Sequence, residues 1–162
     1  MSLISPTDQQ KLRDAFAEMT RAVRLLFFTQ TLGCETCPQT RRILEELPPL
    51  SDKITIEEVN VILDGEKVKR YGVDRAPAVA IEYQSLPGSP GSPGSPGSQD
   101  PENQWMDSRI RFIGTPAGYE FMSLVQAVLL AGGRESMLSA ASRDRIAAID
   151  RPISMQVFTT PT

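Results

Sequence analysis

At 162 residues the chain is long enough for one cored domain with something left over. A formal net charge of -3 and a pI near 5.1 give no electrostatic reason to expect nucleic acid as a partner. No apolar run approaches the roughly 18–20 residues that span a bilayer, and Met1-Ser2-Leu3-Ile4-Ser5-Pro6 lacks the basic start and apolar core of a signal peptide. A cytoplasmic protein with no membrane partner is therefore the default expectation. The sequence has no histidine, the commonest metal ligand and general base.

Ser5-Pro6-Thr7-Asp8 opens a helix with a serine cap, an early proline and an acid three residues on. Leu12, Ala15, Phe16 and Met19 form its apolar stripe up to about Thr20. Val23 to Thr29 is a short apolar run of the kind that makes a buried strand. Gly33 permits a sharp turn, and from Cys37 the pattern becomes helical, with Ile43, Leu44 and Leu47 on one face until Pro48-Pro49 stops it. Ile54 to Leu63 predicts a second strand, although its alternation slips near Glu57-Glu58. Asp64 caps a short helix reaching Tyr71, closed by Gly72. Ala78-Val79-Ala80-Ile81 is a third strand starting directly after Pro77.

Residues 84–108 break the pattern. The Ser-Pro-Gly repeats between Pro87 and Ser98 bury too little apolar surface to order themselves and are expected as a flexible, disordered insertion. Arg109 to Ile113 resumes as a strand ending at Gly114, followed by a helix whose apolar face is Phe121, Leu124, Val125, Val128 and Leu129. Another helix spans about Glu135 to Ile149, and Ile153 to Thr159 is an apolar strand. Alternating strands and helices predict an α/β protein: a mixed sheet flanked by helices, its first two strands parallel and its last two an antiparallel hairpin.

The only two cysteines stand in Cys34-Glu35-Thr36-Cys37, where the first strand becomes a helix. Two thiols at this spacing can close a disulfide, and a helix start stabilises a thiolate through its unpaired N–H groups. In a reducing compartment such a pair points to catalysis or metal binding rather than to a structural bridge.

This order, with Cys34-Glu35-Thr36-Cys37 after the first strand and Pro77 opening the third, resembles the thioredoxin fold with four strands. Val73-Asp74-Arg75-Ala76-Pro77-Ala78 and Arg111-Phe112-Ile113-Gly114-Thr115-Pro116-Ala117-Gly118-Tyr119-Glu120-Phe121 bring the resemblance closer. They look like the N-terminal unit of the glutaredoxin-like protein disulfide oxidoreductases, and are similar to the N-terminal domain of the alkyl hydroperoxide reductase flavoprotein subunit. The resemblance covers nearly the whole chain apart from the insertion. It implies Cys34 as nucleophile, Cys37 as resolving thiol and Pro77 as a cis-proline that presents the Ala76 backbone to an incoming peptide. Arg75 flanks that loop. The fourth strand should bring Gly114 back to the dithiol, where its missing side chain leaves room for a substrate backbone.

The implied function is a dithiol–disulfide oxidoreductase acting on protein disulfides through a mixed disulfide, reduced by a flavoprotein or a thioredoxin reductase, with no metal, nucleotide or bound cofactor. A non-catalytic docking module and an electron relay serving a peroxidase are the alternatives. Inert core cysteines are a further one, and a zinc or iron–sulfur site would have to be shared between two chains, since two thiolates supply only half the ligands. Glu35 opposes a very low thiol pKa; Arg41, Arg42 and Arg75 are candidates to offset it. Thioredoxins proper carry a buried acid six residues before the nucleophile, where this chain has Phe28, leaving water or Glu58 to move the proton. Family members carry two such units, so residues 1–150 are expected as one domain and 151–162 as the start of a truncated second. The orphan strand there, with Val157 and Phe158, should drive self-association.

Overall fold

The computed structural model describes residues 3–85 and 105–159. In chain order they form α1 (Pro6–Ala17), β1 (Val23–Thr29), α2 (Cys37–Glu45), a single 3-10 turn (Pro48–Leu50), β2 (Ile54–Asn60), α3 (Gly65–Tyr71), β3 (Ala78–Gln84), β4 (Trp105–Ile113), α4 (Tyr119–Ala131) and α5 (Ala140–Ala147). β1 pairs in parallel with β2, Val23 opposite Ile54, and antiparallel with β3, Phe28 opposite Ala78. β4 lies antiparallel on the outer side of β3, giving the sheet order β2-β1-β3-β4. This is the four-stranded mixed sheet that the order of elements predicts.

A strand covered on both faces is a continuous apolar run rather than an alternation. β1 obeys this: Leu25, Leu26, Phe27 and Phe28 are all buried. Val23, Leu25 and Phe27 join Val79 and Ile81 in a core closed by Phe16 of α1, Leu44 of α2 and Leu124 of α4. Leu26 and Phe28 face the other way, with Val59, Ala78 and Ala80, under Tyr71 of α3. Burial of each such Phe or Leu contributes about 1.5–3 kcal/mol, so the alternation of β1 residues holds helices on both faces of one strand.

Several boundaries move, each for a local reason. Ser5 caps α1 as expected, its Oγ accepting the Asp8 N–H at 3.2 Å, but the helix ends at Ala17 and Met19 is buried beyond it. α2 ends at Glu45, and the chain tightens into the 3-10 turn at Pro48, whose nitrogen has no proton to continue the α ladder. β2 stops at Asn60 rather than Leu63 because the Asn60 Oδ1 accepts the N–H groups of Ile62 and Leu63 at 2.9 and 3.2 Å, turning both side chains into solvent. Asp64 does not cap α3 with its side chain; its Oδ2 accepts the Asn60 N–H instead. Gly72 closes that helix in the left-handed conformation, φ 61.

The stretch expected as a loop over 84–108 is shorter at both ends. Gln84 belongs to β3 and pairs with Trp105, and residues 105–108 belong to β4; the Arg24 guanidinium stacks over the Trp105 ring at 4.7 Å. The Ser-Pro-Gly repeats lie outside the described residues. α5 is shorter than the expected 135–149, beginning only where the Ser139 Oγ accepts the Ser142 N–H, and buries none of its residues. The strand expected over 153–159 does not form: these residues are exposed and pair with no described strand, and although the Thr159 hydroxyl donates to Glu120 of α4, no backbone ladder orders the segment. Among the described residues no helix is long and apolar enough to cross a membrane.

Candidate dithiol site

Beyond β1 the chain turns through Gly33, at φ 77, and presents Cys34 just ahead of α2. Cys34 and Cys37 are joined in a disulfide, their Cα atoms 5.4 Å apart. The two cysteines differ in burial. Cys34 is half-buried, whereas Cys37, the first residue of α2, is 4% exposed and packs into the core with Leu44. Cys37, Thr40 and Leu44 recur at helical spacing on the inward face, so the helix that begins at Cys37 buries it. Pro38 at the second position gives up an N–H that the first turn leaves unpaired anyway.

Pro77 immediately precedes β3, is buried, and follows a cis peptide bond from half-buried Ala76. Because Ala78 lies opposite Phe28, this loop sits at the end of the sheet from which the dithiol turn departs. β4 returns to the same end: Ile113 pairs with Ala78, and the Gly114 N–H donates to the Pro77 carbonyl at 2.8 Å. Topology thus gathers Cys34, Cys37, Ala76, Pro77 and Gly114 at one edge from segments far apart in the chain. Gly114 has φ 101, and a Cβ built there would meet nothing within 4 Å. Its positive φ is a backbone conformation that favours glycine.

The charges around the site are largely committed to one another. The Arg75 guanidinium forks onto Asp74, with Nε–Oδ1 and Nη2–Oδ2 both 2.8 Å, on the exposed surface. That hydrogen bond holds the Asp74 carboxyl below its ordinary value and raises the guanidinium. Arg41 pairs with Glu58 at 2.7 Å. Of the three arginines expected to offset Glu35, two are therefore neutralised by acids of their own; Arg42 and Glu35 are exposed. Glu58 and Arg41 flank a cleft between α2 and β2 that also involves Phe27, Leu44 and Ile56. Phe28 is fully buried, so the place of the thioredoxin acid is apolar. Among the described residues no three or more Cys, Asp or Glu cluster at metal-binding spacing.

Two features escape a reading of the sequence. Thr40 is fully buried on α2, its Oγ1 3.0 Å from the Thr36 carbonyl and 2.8 Å from the Thr115 hydroxyl. Its signal was a hydroxyl one turn beyond Cys37 on the apolar face. Glu82, 1% exposed within β3, is bound by Arg24 and by the Tyr71 hydroxyl. Its signal was a charge inside an apolar strand.

No family model and no curated protein sequence matches the chain. Solved structures do. The NTD_N/C domain of alkylhydroperoxide reductase AhpF from Enterococcus faecalis aligns with a TM-score of 0.68 and 25% identity, over 91% of this chain and 62% of that one. A cysteine-to-alanine mutant of AhpF from the same organism aligns at 0.67 and 27% identity, over 90% and 60%. A protein disulfide oxidoreductase from Aeropyrum pernix aligns at 0.65 and 23% identity, over 89% and 54%. The chain spans about three-fifths of the length of these proteins or less. The resemblance expected from the motifs holds in three dimensions: the fold is thioredoxin-like and similar to the N-terminal domain of AhpF.

Proposed function

We propose that this chain is a dithiol–disulfide oxidoreductase that reduces protein disulfides through Cys34 and Cys37. The observation that carries the reading is a disulfide-bonded pair, one cysteine half-buried and one buried, at the same end of a thioredoxin-like sheet as the Ala76–Pro77 bond. In the reduced protein the Cys34 thiolate attacks a substrate disulfide. The substrate S–S bond breaks, one of its sulfurs leaves as a thiolate that takes a proton from water, and the other stays bonded to Cys34. Cys37 loses its proton to water and attacks the Cys34 sulfur, releasing the second substrate thiolate and forming the Cys34–Cys37 bond. Two electrons pass from the dithiol to the substrate, and a flavoprotein or a thioredoxin reductase returns them.

The Ala76 backbone and Pro77 meet the substrate segment carrying the disulfide, Gly114 leaves room for its main chain, and Arg75 lies at the rim. This chemistry suits the reducing cytoplasm. In the same reading residues 1–150 are one thioredoxin-like domain and 151–162 the start of a second thioredoxin-like unit. Reduction of insulin by dithiothreitol tests the function, and a non-catalytic docking module would not accelerate it. Cys34→Ser should abolish acceleration, whereas Cys37→Ser should accumulate a mixed disulfide; faster alkylation of Cys37 than of Cys34 in the reduced protein overturns the assignment. The likeness to AhpF favours one second reading, a relay that passes electrons to a peroxidase, which a coupled assay with a peroxiredoxin distinguishes from general reduction.

A further inference from the structure

We infer that the Thr40–Thr115 hydroxyl pair is a clasp that positions the resolving half of the dithiol, an inference that rests on the function proposed above. The direction of its hydrogen bonds follows from chemistry. The Thr36 carbonyl can only accept, so the Thr40 hydroxyl, 3.0 Å away, donates its single proton there. Thr115 must then be the donor in the 2.8 Å contact between the hydroxyls. The Thr36 carbonyl also accepts the Thr40 N–H at 3.0 Å, so Thr40 grips the residue between Glu35 and Cys37 twice.

The clasp joins segments 75 residues apart. Thr115 follows Gly114, whose N–H holds the Pro77 carbonyl. A chain of covalent and hydrogen bonds therefore runs from the Cys37 turn through Thr40, Thr115 and Gly114 to the loop beside which the mixed disulfide forms. Packing alone gives no reason for a hydroxyl at Thr40, because valine would fill the same fully buried volume without needing partners. What the hydroxyls add is a directional tie that holds the first turn of α2, and Cys37 with it, against the Pro77 loop. Cys34 precedes that helix, so the clasp acts on closure of the Cys34–Cys37 bond more than on the first attack.

Thr115→Val removes the donor, keeps the shape and frees the turn. The effective concentration of Cys37 toward Cys34 should fall about threefold to tenfold, the range one buried hydrogen bond supports. For a two-electron couple this raises the reduction potential by about 15–30 mV. The test equilibrates the full chain in glutathione redox buffers, reads the oxidised fraction by thiol trapping and mass spectrometry, and measures the alkylation rate of Cys34 alongside. The expected result is a shifted potential in Thr115→Val, an unchanged Cys34 rate, and restoration by Thr115→Ser. A wild-type potential in Thr115→Val, a failure of Thr115→Ser to restore it, or a Cys34 rate that moves as far as the potential overturns the clasp. If Thr115→Val does not fold, Thr115→Ala, which removes the hydroxyl from a half-buried loop position, carries the same expectations. The measurement needs no protein substrate. A wild type inactive on insulin with a shifted Thr115→Val sinks only the proposed function, and an active wild type with an unshifted variant sinks only the clasp.

Discussion

Replacing Arg24 by methionine should destabilise the protein far more than replacing its partner Glu82 by leucine. The Glu82 carboxylate, 1% exposed, accepts Arg24 Nε at 2.8 Å and Nη2 at 2.5 Å, together with the Tyr71 hydroxyl. Burial, and then the neighbouring carboxylate, push the Tyr71 hydroxyl well above its ordinary value, so it stays a neutral donor. Arg24→Met leaves a buried carboxylate with that one donor, which costs about 3–5 kcal/mol. It also removes the stacking of Arg24 on Trp105, worth about 0.5–1 kcal/mol. Glu82→Leu is milder, because the Arg24 side chain is 26% exposed and keeps Glu57 at 2.9 Å. Its main casualty is the Tyr71 hydroxyl, orphaned at about 1–3 kcal/mol. The double variant replaces an ion pair by apolar groups and loses only the Trp105 stacking beyond Glu82→Leu, so it should lie about 0.5–1 kcal/mol below Glu82→Leu alone, a coupling of about 3–5 kcal/mol. Urea unfolding of the four proteins at pH 7, followed by circular dichroism, measures the cycle. An Arg24→Met cost below about 1 kcal/mol, or additive single effects, would refute a buried carboxylate that depends on Arg24.

Asp107 gives a pH dependence of known sign. Burial works to raise its carboxyl, but bonds from Arg111 at 2.8 and 2.6 Å and from the Arg109 N–H at 2.8 Å outweigh it and hold it below the ordinary value. A depressed folded pKa contributes stability that is full above the unfolded value, near 3.9, and is lost as pH falls through the folded one. Asp107→Asn should thus lower stability by about 1–3 kcal/mol at pH 7 and flatten its decline below about pH 4; parallel acid unfolding curves would contradict this. Deleting residues 87–98 should leave insulin turnover within about twofold, since loop length enters closure entropy only logarithmically. The described flanks of that loop, Gln84 and Trp105, pair at the end of the sheet opposite Pro77; a large loss with the fold intact would show a contact with substrate or partner. Trimming after Ile149 removes Met155, Val157 and Phe158, exposed at 86, 79 and 89%, and should make the chain more monomeric by light scattering without changing Cys34 chemistry. Equal masses before and after would dismiss self-association through this segment.

What the sequence by itself determined was whatever depends on neighbours a few residues away. β1 is legible over Leu25 to Phe28 as a buried apolar run, the cap at Ser5 and the stop at Gly72 are single-residue chemistry, and a dithiol between strand and helix announces itself. The order of strands and helices then brings Pro77 and Gly114 to the end of the sheet from which the Cys34 turn departs, because antiparallel pairing sends alternate strand ends to one side. Tertiary structure alone decided the rest. Arg24 and Glu82 are 58 residues apart, and Thr40 and Thr115 are 75. Taken singly, each is a charge or hydroxyl in an apolar stretch, and no periodicity says which distant group will satisfy it. The ends of strands behave alike: β4 reaches back to Trp105 because β3 and Arg24 are there to meet it, and 153–159 forms no strand for want of such a partner. Hydrophobic pattern is a property of a segment, whereas a hydrogen bond or a ladder needs two segments, and the second is supplied only by the fold.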